Sequence, residues 1–206
     1  MLIAIIDYGA GNLRSVVNAF EFIGQNPRII NTSAELKQAS AIVLPGVGSF
    51  GEGMAHLRNL ALIEPLSEEV LVKKKPYLGI CLGLQFLASE SFEHGRHEGL
   101  GWIPGSVERL KAEQGIRIPH MGWNNVRAVG ASRLLEGFVD DPVFYFVHSY
   151  VYVPPLEHQG VVVGTAWHGQ DIAAVVEKEH IVAVQFHPEK SQADGLRLLE
   201  NFVRMI

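Results

Sequence analysis

Tyr77-Leu78-Gly79-Ile80-Cys81-Leu82-Gly83-Leu84-Gln85 is the stretch from which the rest of the chain is best read. An apolar run, expected to be a buried strand, turns into a helix at the only cysteine in the protein. Glycines stand two residues before and two residues after the sulfur, the G-x-nucleophile-x-G pattern with Cys in the place of Ser. So sharp a turn holds the nucleophile at strained backbone angles and leaves no room for flanking side chains. The sulfur then stands at a helix N-terminus, where free N–H groups and the helix dipole favour thiolate over thiol. A lone cysteine is also a small buried hydrophobe. The motif alone leaves the catalytic and the packing roles both open.

N-terminal to the elbow, Leu2 to Ile6 is a continuous apolar run that suits a strand buried on both faces of a parallel sheet. The loop Asp7-Tyr8-Gly9-Ala10-Gly11-Asn12 follows, with Asn12 placed to cap a helix through about Phe22. Its G-x-G is not a dinucleotide fingerprint: Ser15 and Val16 stand where the third glycine would fall, and no acidic residue closes a second strand near Arg28-Ile29-Ile30. Ala34 to Ser40 reads as a short helix and Ala41 to Leu44 as the next buried strand. That strand runs into Pro45-Gly46-Val47-Gly48-Ser49-Phe50-Gly51, a glycine-rich loop where open α/β sheets place ligands. The loop lacks the G-K-[ST] ending of a phosphate loop. It reads either as a plain strand-to-helix turn or as a set of backbone N–H groups for an oxyanion. Met54 to Lys75 is helical in period, broken by Pro65, and the elbow helix is expected to run to about Ser89.

C-terminal to the elbow the character changes. From Gly99 short strands and turns follow one another: Ser106 to Leu110, Gly122 to Arg127, Val143 to Val153, Val161 to Trp167, Ile172 to Glu177 and Ile181 to Gln185. A helix from about Asp194 to Met205 ends the chain, and Ser191-x-x-Asp194 before it resembles a capping box. The fold class expected is α/β: an open, largely parallel twisted sheet with helices on both faces and an antiparallel β extension. No Ser/Pro/Gly-rich linker separates the halves, so a single domain over residues 1–206 is expected.

Composition narrows the function classes. Nearly half of the 206 residues are apolar, enough for a full core without disulfides or metal. The net charge of −5 and the scattered Lys and Arg leave no basic stripe for nucleic acid. One cysteine excludes an internal disulfide and a cysteine-rich zinc site, and fits a reducing compartment. The run Met1 to Ile6 is too short for a signal or membrane segment, which makes a soluble cytoplasmic protein the expectation. No cofactor and no metal site is expected.

A cysteine nucleophile needs a base, and the base needs an orienting group. Val184-Gln185-Phe186-His187-Pro188-Glu189 supplies both: an apolar strand delivers His187 to its end, and Glu189 lies two residues on, on the same side of extended backbone. Of the eight other histidines, His94 and His97 have a metal-like spacing without a convergent third ligand. His120 and His148 lie in Pro119-His120-Met121-Gly122-Trp123-Asn124 and Tyr145-Phe146-Val147-His148-Ser149-Tyr150, as packed histidines or as parts of a partner surface.

Taken together, G-I-C-L-G-L-Q, P-G-V-G-S-F and the terminal H-P-E resemble a class I (triad) glutamine amidotransferase domain over essentially the whole chain. Within that family I-D-Y-G-A-G-N-L-R-S-V, P-H-M-G-W-N, Y-F-V-H-S-Y and Q-F-H-P-E-K-S resemble the glutaminase branch that serves imidazole glycerol phosphate synthase in histidine biosynthesis. Val151 and Trp102 depart from that branch's usual residues, away from the triad.

The resemblance implies a Cys81–His187–Glu189 triad that hydrolyses L-glutamine to glutamate and ammonia. It implies an oxyanion hole formed by the N–H of Leu82 and by the Gly46-Val47-Gly48 loop. Gln85 and the backbone of Ser149 and Tyr150 are expected to hold the substrate, with Glu93 as a candidate for its ammonium. The ammonia is expected to pass to a (β/α)₈-barrel synthase subunit, a separate chain that makes imidazole glycerol phosphate and a purine-pathway carboxamide. Asn12, Trp123, Tyr145 and Lys190 are expected at that contact. The resemblance also implies a glutaminase that idles until the synthase site is occupied. Rival readings are the glutaminase of another amidotransferase, a hydrolase or peptidase with the same elbow, and a thiol-sensing module without catalysis.

Overall fold

The computed structural model describes residues 1–111 and 115–206. Its first half alternates strand and helix: β1 (Ile3–Ile6), α1 (Leu13–Phe22), β2 (Arg28–Ile30), α2 (Ser33–Leu36), β3 (Ala41–Gly46), α3 (Phe50–Asn59), α4 (Ile63–Ser67), β4 (Tyr77–Cys81) and α5 (Leu82–Gln85). The second half is mostly strand: β5 (Glu90–Ser91), β6 (His97–Glu98), β7 (Ser106–Arg109), β8 (His120–Asn125), β9 (Arg127–Ala128), β10 (Val143–His148), β11 (Tyr150–Val153), β12 (Val162–Trp167), β13 (Asp171–Lys178) and β14 (Ile181–Val184), closed by α6 (Gln192–Val203).

Eight strands form the main sheet, in the order β2-β1-β3-β4-β14-β13-β12-β9. From β2 to β14 neighbouring strands are parallel, and from β14 to β9 they are antiparallel. The strands β1, β3, β4 and β14 are buried along their whole length, as their unbroken apolar runs require of strands covered on both faces. Alternate residues feed two apolar layers: Ile3 and Ile5 join one with Phe20, Phe144 and Phe202, and Ala4 and Ile6 join the other with Phe50, Phe86 and Trp102. Among the described residues, no helix is long and apolar enough to cross a membrane.

Strand order, not chain order, brings the elbow and the C-terminal segment together. β4 lies between β3 and β14, with Gly46 opposite Cys81 on one side and Val184 opposite Ile80 on the other. All three strands run the same way, so the glycine-rich loop, Cys81 and the segment after Val184 emerge at one edge. The strand order reverses beside these ends, between β1 and β3, the kind of place at which open sheets bind ligands.

Both elbow glycines are sterically required. A Cβ on Gly79 would sit 2.5 Å from the Gly83 carbonyl oxygen, and one on Gly83 would collide with the Leu44 carbonyl oxygen. We expect Gly83→Ala to cost about 1–3 kcal/mol of stability, the usual penalty for overpacking a rigid site. Urea unfolding measures it, and a change within about 0.5 kcal/mol, as for an ordinary surface substitution, would contradict so close an approach.

Five local expectations are corrected. The elbow helix ends at Gln85, not near Ser89, because the chain leaves it to form β5. The helical period after Gly51 is interrupted at Ala61, where φ is 51°, and not at Pro65. Pro65 is the third residue of α4, in a first turn whose N–H groups need no helical partner. Val143 to Val153 is two strands parted at Ser149, since β10 pairs with β8 and β11 with β7 in different sheets. Likewise Gly122 to Arg127 divides between β8 and β9. Ser191 and Asp194 form no capping box: Ser191 Oγ accepts from Tyr145 N at 3.0 Å and donates to His187 O at 2.6 Å, while Asp194 Oδ2 accepts from Val143 N at 2.8 Å. These two side chains tie β10 to the segment carrying His187.

Candidate active site

Cys81 ends β4 at φ 54°, ψ −103°, a conformation costing on the order of 1–3 kcal/mol for a residue other than glycine. Its side chain is buried but borders a cavity of about 680 Å³. Strain of this kind at the one cysteine is what a nucleophile elbow requires and what a packing role does not. The helix behind the sulfur is a single turn, so the local N–H groups, not a long dipole, are what it presents to that cavity.

Three residues beyond β14, His187 is 2% exposed. Its Nδ1 donates to Glu189 Oε1 at 2.7 Å, and the carboxylate is buried as well. This contact was expected from extended backbone. Instead Pro188–Lys190 forms a tight 3-10 turn, and the turn brings Glu189 back against the ring. Nε2 on the far side of the ring has no hydrogen-bond partner of ordinary geometry, and Glu189 Oε2 has none either. Burial pushes the imidazole pKa down, but Cys81 and Glu189 act more strongly in the other direction and hold it at about 10. His187 is thus protonated at neutral pH and faces the sulfur electrostatically.

Three further groups meet near the sulfur without having been singled out in the sequence. Gln185 Nε2 lies 3.7 Å from Sγ and its Oε1 accepts from Gln85 Nε2 at 3.2 Å. A fully buried amide in the apolar run Ile181 to Phe186 was the available signal. Tyr8 is 1% exposed with an unpaired hydroxyl, pressed so closely against Gly46 that a Cβ there would overlap it. Burial, with Cys81 nearby, pushes that phenol's pKa up. Arg109, at the end of β7, also lines the cavity.

The expected oxyanion and substrate residues border the same cavity: Val47, Gly48, Leu82, Gln85, Glu93, Ser149 and Tyr150 all line it. Gly46 ends β3 behind them, and Gly48 has φ +101°, open to glycine at little cost. Gln85 Nε2 donates to Tyr150 O at 2.9 Å, joining the elbow to β11. One oxygen of Glu93 accepts from Phe50 N at 2.6 Å, so this carboxylate also holds the start of α3.

The expected contact residues form a neighbouring surface. Trp123 on β8 stands opposite Tyr145 on β10, with their rings 5.9 Å apart, and Lys190 Nζ lies 5.9 Å from the centre of the Tyr145 ring. Trp123 is 50% and Met121 62% exposed, large apolar side chains left uncovered on one face of a strand pair. Asn12 caps α1 through Ser15 N at 3.4 Å, and that helix packs against the Pro188–Lys190 turn. His94 lines the Cys81 cavity with its ring 6.3 Å from that of Tyr150, and among the described residues no three His, Cys, Asp or Glu side chains are placed to hold a metal ion.

Residues 4–206 match the family described as glutamine amidotransferase class-I. The chain is 48% identical over 204 residues to imidazole glycerol phosphate synthase subunit HisH 1 of Campylobacter jejuni strain RM1221, covering 99% of this chain and all of that protein. It is 45% identical over 205 residues to imidazole glycerol phosphate synthase subunit HisH of Aquifex aeolicus strain VF5, covering 99% and 97%. Among solved structures, PurLQS from Thermotoga maritima superposes with a TM-score of 0.76 over 98% of this chain and 97% of the matched one, at 19% identity, a likeness of fold.

Proposed function

The chain belongs to the class I glutamine amidotransferases, and we propose that it is the glutaminase subunit of an imidazole glycerol phosphate synthase in histidine biosynthesis. The whole-length identity to HisH proteins supports that branch over other amidotransferases. The observation that carries the chemistry is the strained Cys81 beside a His187 held protonated by sulfur and carboxylate together.

In this reading the Cys81 thiolate attacks the side-chain carbonyl carbon of L-glutamine. The new oxyanion takes hydrogen bonds from Leu82 N–H and from the Gly46-Val47-Gly48 loop. His187 gives its proton to the nitrogen as the C–N bond breaks, releasing ammonia and leaving a thioester. The now neutral imidazole takes a proton from water, which attacks the thioester and frees glutamate and the thiolate. Glu189 fixes the ring's tautomer throughout. Gln85, Ser149 and Tyr150 position the substrate, and Glu93 and Arg109 match its ammonium and carboxylate in sign.

Released ammonia is useful only if it reaches an acceptor before water protonates it. A separate barrel-type cyclase subunit docks, in this proposal, on Asn12, Trp123, Tyr145 and Lys190. One folding unit over residues 1–206 is supported by apolar layers that draw on both halves of the chain. The unpaired cysteine fits a cytoplasmic location.

Loop gating follows from the glycines of the oxyanion segment, whose peptides have two accessible orientations. The isolated chain is expected to release ammonia from glutamine at least about 10²-fold more slowly than the complex with its cyclase and nucleotide bound, the loss typical when one oxyanion donor is missing. Coupled glutamate assays measure this. Equal rates with and without the cyclase would reject gating, and no glutaminase activity in the occupied complex would reject the function.

A further inference from the structure

His120 and His148 are both buried, at 4% and 6% exposure, and the triad mechanism uses neither. They stand opposite each other on β8 and β10, on the inner face of the strand pair whose outer face carries Trp123 and Tyr145. The His120 ring is clamped between Phe146, 4.5 Å away, and His168, 4.1 Å away, both nearly parallel to it.

The hydrogen bonds of this pair have one consistent direction. Tyr150 O accepts only, so His148 Nδ1, 3.0 Å from it, carries the proton. A neutral imidazole with its proton on Nδ1 presents Nε2 as an acceptor, and His120 Nδ1 lies 3.0 Å from that atom. His120 therefore also carries its proton on Nδ1, and its Nε2 accepts from Asn124 Nδ2 at 3.1 Å. Asn124 is oriented in turn, since Nδ2 also donates to Trp167 O at 2.8 Å and Oδ1 accepts from Asn125 N at 2.9 Å. Protonating either ring would set two donors face to face. Burial holds both rings neutral at pH 7, with pKa values near 4 for His120 and near 3 for His148.

At its inner end the chain of bonds reaches the same carbonyl that Gln85 holds, on the cavity wall. We propose that His148, His120 and Asn124 form a positioning relay for glutamine: His148 fixes the Tyr150 carbonyl and hence the Ser149–Tyr150 backbone, and the other two impose the one tautomer of His148 that does so. The inference rests on reading the cavity as the glutamine site. It makes His120 a positioning residue that acts through His148 and touches neither substrate nor sulfur.

The test uses the complex with its cyclase and nucleotide, reading KM and kcat for glutamine, together with ¹⁵N spectra of labelled histidine, which distinguish the two tautomers. Leucine at 120 removes the donor that faces His148 Nε2 and leaves the Tyr150 carbonyl alone to select the tautomer. Asparagine keeps a donor at the δ position. His120→Leu is expected to raise KM about fivefold to twentyfold, the weight of one hydrogen bond, with kcat changed less than about twofold. His120→Asn should stay within about twofold of the unaltered chain. The spectra should show neutral His148 protonated on Nδ1 alone, and a mixture with the Nε2-protonated neutral tautomer in His120→Leu. An unchanged KM in His120→Leu, equal impairment in His120→Asn, or a His148 protonated on Nε2 in the unaltered chain would overturn the relay. If the leucine variant does not fold, the tautomers of the unaltered chain decide. A complex that never releases ammonia from glutamine would overturn the functional reading instead, and the spectra would still judge the hydrogen bonds.

Discussion

Cys81→Ala is expected to lower glutamine-dependent ammonia release by the occupied complex on the order of 10⁴-fold or more, because removing the nucleophile of a covalent mechanism removes its pathway and not one contact within it. The fold should survive. Cys81 belongs to the apolar layer that includes Ile80, Val184 and Phe186, and alanine fills most of its volume with no new polar group. Alanine also meets the same backbone strain, so the elbow itself is not relaxed. The cyclase should still turn over when free ammonia is supplied, because that route bypasses the sulfur. Circular dichroism and the ammonia-dependent rate serve as controls. Retained deamidation in the alanine variant would end the covalent reading.

Glu189→Gln is expected to reduce kcat by about 10²–10⁴-fold, the range that a correctly oriented acid–base group contributes. It should also move the alkaline limb of kcat/KM to lower pH. The sign follows from the shift on His187. Its folded pKa, near 10, is raised above an ordinary histidine's value of about 6.5, so the protonated, acid-competent ring persists through neutrality and is lost as pH rises through 10. Cys81 is the larger of the two raising influences, and Glu189 is the second. Glutamine at 189 removes the second and leaves the first, so the limb falls short of an unperturbed histidine's. Stability follows the same sign. The contribution from His187 is complete below about pH 6.5 and disappears between there and 10, and the variant should lose less over that window. A pH–rate profile of both proteins checks this. An alkaline limb unmoved by the substitution would show that Glu189 does not govern the imidazole.

Much of this architecture was readable in the chain because the features that encode it are local. An unbroken apolar run such as Ala41 to Leu44 has one stable use, a strand covered on both faces, and the glycines around Cys81 are demanded by the backbone of Leu44 and by the turn itself. The class I resemblance and the whole-length match agree with that reading of the fold. What the sequence concealed depends on partners far along the chain. Ser191 looks like a helix cap until β10 is seen to approach it, and then its hydroxyl serves Tyr145 and His187 instead. Ser149 carries no break signal, yet the chain changes sheets there because β7 and β8 recruit its two flanks separately. Gln185 and Tyr8 sit inside apolar context, and only the packed structure aims their polar ends at the sulfur and at Gly46. The His120–His148 pair was visible as two conspicuous segments, but its direction depends on hydrogen bonds that no periodicity encodes.

The most direct test of a Cys81 nucleophile is covalent capture. A glutamine-like diazo ketone, incubated with the nucleotide-occupied complex and followed by peptide mass spectrometry, should add once to this chain, at Cys81, and ammonia release should fall in proportion to labelling. Addition at any other residue, or full labelling of Cys81 with glutamine hydrolysis intact, would contradict it.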